Sequence, residues 1–91
     1  MTGIKYDDEK LEWDMVPWEA MEPVVRVLMF GAKKYEPNNW KFVEPKNRYT
    51  NATFRHLIDY TKGEQLDPET GESHLAHAIC CLLFKLWDDL K

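Results

Sequence analysis

Between Ser73 and Leu90 apolar residues recur at helical spacing, and no other long stretch of the chain is as apolar. Leu75, Ile79, Leu82, Leu83, Leu86 and Leu90 mark one side of a 3.6-residue period, which predicts a helix over 73–90 with these residues facing the core. Gly71 ends a turn just ahead of it, and Ser73 is placed to cap the helix by accepting a backbone N–H. The segment is polar mainly at its mouth. There His74 and His77 stand three apart and share a face.

Two further helices are announced by punctuation. Pro17 is a favoured first-turn residue, and Met21, Val24, Val25, Leu28, Met29 and Ala32 cover a wide arc over 17–35. Pro23 removes a hydrogen bond to the carbonyl of Glu19. The segment is therefore either a kinked helix, or a short turn at 17–21 followed by a helix with Pro23 at its first position. Residues 36–50 carry two prolines and three asparagines and are expected to be a loop. Trp40, Phe42 and Tyr49 make it a binding loop rather than a disordered one. A second helix is expected from Thr50 or Asn51, with Phe54, Leu57, Ile58 and Thr61 inward and Gly63 as the residue that ends it. Residues 64–71 form an acidic connector with turn chemistry at Asp67-Pro68 and Thr70-Gly71. The expected fold is all-α: three helices, preceded by an irregular arm over 1–16 anchored by Ile4, Tyr6, Leu11 and Trp13.

Ninety-one residues make one domain. A chain this short buries a modest share of its surface, yet 44% of it is hydrophobic, with four Trp, four Tyr and four Phe. That is more large apolar surface than three helices hide, so self-association is expected. A formal charge of −4 argues against a binder of nucleic-acid polymers. No run approaches the roughly 18 apolar residues of a membrane span, and no signal peptide opens the chain. The adjacent Cys80 and Cys81 are poorly placed to bridge each other, and a reduced, cytoplasmic setting is the default.

Three constellations can carry chemistry. On one helix face Glu19-x-x-Glu22 is either a solvated pair or, because two such carboxylates repel unless a cation sits between them, a site for Mg²⁺ or Mn²⁺. At the mouth of the third helix His74 and His77 are either satisfied core residues at a helix end or, because the dipole there disfavours protonated imidazole, neutral rings that bind metal or hold phosphate or water. Lys33, Lys34 and Tyr35, followed by Asn39 and Trp40, either complement a helix C-terminus or build a phosphate and base pocket. Arg55 and His56 on the second helix complete that pocket.

The order of short blocks is more specific than any one of them. Lys5-x-Asp7-x-x-Lys10, Trp13-Asp14-x-x-Pro17 and Val27-Leu28-x-Phe30-Gly31-Ala32-x-Lys34-Tyr35 are followed by Asn39-Trp40 and Arg55-His56-Leu57. Gly63-Glu64-x-x-Asp67-x-Glu69-Thr70-Gly71 and His74-Leu75-Ala76-His77-Ala78 complete the series. Over nearly its whole length the chain resembles the phage and bacterial dATP/dGTP diphosphohydrolase N-terminal domain family, which looks related to the MazG-like all-α NTP pyrophosphatases. The resemblance implies cleavage of a (deoxy)purine nucleoside triphosphate, dGTP or dATP, to monophosphate and pyrophosphate. It implies Mg²⁺ or Mn²⁺ held by Glu19-x-x-Glu22 and Glu64-x-x-Asp67, with His74-x-x-His77 where the wider group carries an acidic pair. It further implies a MazG-like helical bundle completed by a dimer or tetramer, associating through the first and third helices.

On that basis Glu19, Glu22, His74 and His77 are the expected catalytic residues, and Glu19, Glu22, Glu64 and Asp67 the expected metal ligands. Lys33, Lys34 and Arg55 would neutralise phosphate charge, and Asn39 and Trp40 would meet the base. The alternative is a non-catalytic helical module that binds a nucleotide or a protein.

Overall fold

The computed structural model describes Gly3 and residues 9–91. Three α-helices carry the fold: α1 (Trp18–Lys34), α2 (Asn47–Thr61) and α3 (His74–Asp89). Short 3₁₀ turns sit at Trp13–Met15 and Asn39–Phe42. Among the described residues the only bridge of β type pairs Leu66 with Ser73. The all-α expectation holds, and among the described residues no helix is long and apolar enough to cross a membrane.

Pro23 lies inside α1, which runs through it without a break. The proline, sixth in the helix, removes the single bond that its N–H would have made to Glu19 O, and the helix accommodates that loss in its second turn. Α2 begins three residues before Thr50, because Pro45 and Lys46 already supply the first turn: their carbonyls accept from Arg48 and Tyr49 at 3.1 Å each. The 36–50 loop is thereby shortened and holds its own 3₁₀ turn, entered through Asn38 at φ 63°. Asparagine is one of the few side chains that tolerates that conformation.

The end of α2 matches the sequence reading. Gly63 at φ 100° donates to Tyr60 O, and Glu64 donates to Asp59 O, the paired bonds of a Schellman motif. The chain then folds back on itself over residues 64–73. Asp67 N bonds Glu72 O at 2.8 Å, Gly71 N bonds Asp67 O at 2.8 Å and His74 N bonds Gln65 O at 3.1 Å. Ser73 caps α3 as expected, accepting from Leu75 N at 3.0 Å. The acidic connector is a hydrogen-bonded loop that fixes the α2-to-α3 turn.

Α3 packs on both other helices, most extensively on α2. The core is small: Val24, Ala76 and Cys80, with Met21, Val27, Leu28 and Phe84 packed against it. Small residues on α3 let α1 approach closely enough for Cys80 Sγ to reach Val24 O at 3.4 Å. This inverts the expected faces. Leu75, Ile79, Leu82, Leu83, Leu86 and Leu90 do not fill the core; they are exposed, as are Phe54, Leu57 and Ile58 of α2. What α2 turns inward is Thr53 and half-buried His56, and α3 turns in His74, Ala76, Ala78, Cys80 and Cys81. Periodicity located the apolar stripes correctly but not what they face. The radius of gyration, 16.5 Å, likewise exceeds the roughly 12 Å of a compact chain of this length.

In the arm, Leu11 and Trp13 are largely exposed rather than anchored. Trp13 contributes its carbonyl, which accepts from the Trp18 indole at 3.1 Å. Ile4 and Tyr6 lie outside the described residues.

Candidate functional site

Three imidazoles and two carboxylates converge where α2 ends and α3 begins. His74, the first residue of α3, is 1% exposed, the most enclosed titratable residue among the described ones. Its Nε2 lies 2.7 Å from Glu64 Oε1 and its Nδ1 lies 2.8 Å from Nδ1 of His56. A carboxylate only accepts, so His74 donates through Nε2, and its Nδ1 lone pair accepts from the Nδ1–H of His56. One turn further along α3, His77 lies flat against His56, with ring centroids 4.6 Å apart and 14° between planes. His77 Nε2 meets Thr70 Oγ1 at 2.7 Å.

Asp67 is set by its own loop. Its Oδ1 accepts from the backbone N–H groups of Glu69 and Thr70 at 2.9 and 3.0 Å, an Asx turn. Burial alone would raise this carboxyl, but the Thr70 N–H, the nearby His77 and the Glu69 N–H outweigh it and hold Asp67 below the usual range. His56 is also lowered, first by burial and then by His77 and His74, against the opposing pull of Asp67 and Asp59. Burial lowers His77 as well, and Asp67 only partly offsets that. Both rings are therefore neutral at pH 7, and the 3.9 Å approach of His77 to Asp67 is a polar contact rather than a charged pair.

Two cations on α1 hold the acidic loop from the other side. Arg26 Nε donates to both carboxylate oxygens of Glu72, at 3.1 and 2.7 Å, and this bond holds Glu72 below the ordinary range. Lys34 donates to Glu69 at 3.0 Å. Lys34 is thus engaged with the loop, while Lys33 and Arg55 are exposed.

A second feature lies at the other end of α3: a cavity of about 770 Å³ lined by Tyr35, Asn39, Trp40, Arg48, Tyr49, Phe84 and Trp87, among others. Trp40 stacks on Phe84, with centroids 4.6 Å apart and 13° between planes, and meets Trp87 edge-on at 4.9 Å. The Tyr49 hydroxyl donates to Trp40 O at 3.1 Å, tying the loop to α2. From His77 to Phe84 the two features are about 10 Å apart along α3.

The structure brings together Glu64, Asp67, His74 and His77, and it adds His56, which the sequence reading had grouped with the phosphate pocket. Glu19 and Glu22 are exposed on α1, and no three of Glu19, Glu22, Glu64 and Asp67 offer ligand atoms within 4.8 Å of one another. Tyr35, Asn39 and Trp40 do line one cavity. Sequence reasoning missed Arg48, Phe84 and Trp87 in the cavity, and Thr70 beside His77. The true start of α2 would have exposed Arg48 as a residue of its first turn.

Among the described residues, the groups whose ligand atoms stand close enough to hold a metal ion are His56 with Asp67 and His74, and Asp59 with Glu64 and His74. An all-oxygen Mg²⁺ site of four carboxylates does not fit this single chain. A mixed nitrogen and carboxylate set does, and such sets suit ions softer than Mg²⁺.

The family model described as "dATP/dGTP diphosphohydrolase, N-terminal" matches residues 1–91. A "dATP/dGTP diphosphohydrolase" of Salmonella phage PMBT28 is 38% identical over 87 residues, covering 96% of this chain and 30% of that protein. The chain therefore spans under a third of the length of the curated relative it matches. No solved structure matches it.

Proposed function

The chain belongs to the dATP/dGTP diphosphohydrolase N-terminal family, and from that membership we propose that it is a metal-dependent nucleoside triphosphate pyrophosphohydrolase acting on dGTP or dATP. Water adds to the α-phosphorus, the bond from that phosphorus to the bridging α,β oxygen breaks, and the products are the monophosphate and pyrophosphate. The observation that carries the reading is the cluster of His56, His74, His77, Glu64 and Asp67, about 10 Å along α3 from an aromatic cavity.

In this reading the purine enters the cavity beside Tyr35, Trp40 and Asn39, and Arg48 takes charge from the phosphates. Phosphoryl transfer is mostly positioning and electrostatics, so the chain needs little covalent chemistry of its own. Neutral His77, held by Thr70, orients the attacking water. A divalent cation in the cluster would supply Lewis acidity and a more acidic water. Glu19 and Glu22 enter the site only when a second copy of the chain brings them there. Exposed Phe54, Ile58, Leu82 and Leu86 supply an apolar face for such association.

The test is pyrophosphate release from dGTP and dATP by the purified chain with Mg²⁺ or Mn²⁺. Absence of product with every triphosphate sinks the enzymatic reading.

A second reading is favoured by the separation of Glu19 and Glu22 from Glu64 and Asp67 in one chain. It makes the chain a module that binds a nucleotide without cleaving it. Calorimetry separates the two, because the module binds without metal and without product.

A further inference from the structure

We propose that His56, Asp67 and His74 form a mixed nitrogen–oxygen site for one borderline divalent cation (Fe²⁺, Co²⁺, Ni²⁺ or Zn²⁺), with Glu64 acting on His74 from outside the ligand set. The proposal rests on the preceding reading for where the metal belongs. It replaces the expected ligands Glu19, Glu22 and Glu64.

The geometry is close to what such an ion needs. One ligand atom from each of the three residues lies within 4.8 Å of the other two. The two Nδ1 atoms are 2.8 Å apart. Two nitrogens bound to one ion at about 2.1 Å stand roughly 3.0 to 3.4 Å apart for bond angles between 90° and 109°. A movement of a few tenths of an ångström at the two rings therefore converts the hydrogen-bonded pair into a chelating pair. The proton now on His56 Nδ1 moves to Nε2 of the same ring, so the imidazole stays neutral and no proton is left in the site.

The surroundings are those of a supported ligand set. Glu64 Oε1 accepts from His74 Nε2 at 2.7 Å, which fixes the tautomer and turns the Nδ1 lone pair inward. Metal-binding histidines commonly have such a carboxylate partner on the distal nitrogen. Asp67 spends Oδ1 on Glu69 and Thr70, and among the described residues its Oδ2 takes no hydrogen bond. His77 stands flat against His56, with Nε2 on Thr70, outside the group.

Donor chemistry chooses the ion. Mg²⁺ takes hard oxygen ligands and dehydrates reluctantly, whereas imidazole suits the later first-row metals. The other geometric grouping, Asp59 with Glu64 and His74, uses two exposed carboxylates and would break the Glu64–His74 bond.

Isothermal titration of the purified chain with MnCl₂, ZnCl₂ and MgCl₂, without nucleotide, tests this. One equivalent of Zn²⁺ is expected per chain, with Mn²⁺ weaker than Zn²⁺ and Mg²⁺ weaker than Zn²⁺ by about tenfold or more. Partly exposed His56 and Asp67 are safer to change than enclosed His74, so H56A and D67N, checked for helicity, should abolish binding. E64Q should weaken it by about 10- to 100-fold, and D59N should leave it unchanged. Equal affinity for Mg²⁺, binding that survives H56A, or loss on D59N would overturn the site. A pyrophosphate assay on the same samples keeps the two ideas apart. Metal bound without turnover counts against the hydrolase, and turnover with Mg²⁺ alone and no Mn²⁺ or Zn²⁺ binding counts against this site.

Discussion

His56 and His74 meet Nδ1 to Nδ1 at 2.8 Å across the seam between α2 and α3. The contact joins residues 18 apart in sequence and closes the loop that carries Glu64 and Asp67. It also sets a direction for pH dependence.

In metal-free protein, His56 and His77 titrate below their unfolded value of 6.5. Below that pH the unfolded chain binds protons that the folded chain refuses, so stability is present at neutral pH and lost as pH falls. The groups facing His56 are His74 and His77 of α3, Asp67 of the loop and Asp59 of its own helix. Urea melts between pH 7.5 and pH 5 should show a falling midpoint, and the double variant His56→Gln, His77→Gln should flatten that slope.

Removing the cap of α3 should be felt at the cluster. Ser73→Ala loses the bond to Leu75 N and should cost about 1 kcal/mol of stability. For a domain of this size that is a fall in melting temperature of roughly 4–8 °C, readable by calorimetry.

Gly63 holds φ 100° with open space where a Cβ would stand. Gly63→Ala therefore pays a backbone cost alone, about 1 kcal/mol or somewhat more. It also disturbs the bond from Glu64 N to Asp59 O, so Glu64 should lose register with His74. A larger loss of metal affinity than of stability in calorimetry is the expected pattern.

The exposed stripe of Ile58, Leu82 and Leu86 should be covered in solution. Light scattering should give a mass at least twice the 10.8 kDa of one chain. Leu82→Glu should move it toward the monomer while the α-helical spectrum is retained. A wild-type monomer at high micromolar concentration would count against self-association.

The helices and their stops were legible because they rest on local chemistry: Gly63 as the terminator of α2, Ser73 as the cap of α3, and the 3.6-residue period of 73–90. The start of α2 was not, since Pro45 and Lys46 begin the helix through backbone bonds that no side chain advertises. The faces of α2 and α3 were misassigned for a tertiary reason. The interior is given to His56, His74 and small residues such as Ala76 and Cys80, and the leucines are turned outward. The site was half legible. Glu64, Asp67, His74 and His77 stand close in sequence and meet in space, but His56 joins them only because α2 lies antiparallel beside α3, and Glu19 and Glu22 are exposed on α1 although that helix packs on α3.

The two ion pairs from α1 have an electrical consequence. Residues 64–72 carry four acids, Glu64, Asp67, Glu69 and Glu72. Arg26 and Lys34 compensate Glu72 and Glu69. That leaves two carboxylates without a lysine or arginine partner, Glu64 on His74 and Asp67 beside His77. The loop is thus short of electroneutrality by the charge of one divalent cation, and binding such an ion would bring this end of the molecule into balance.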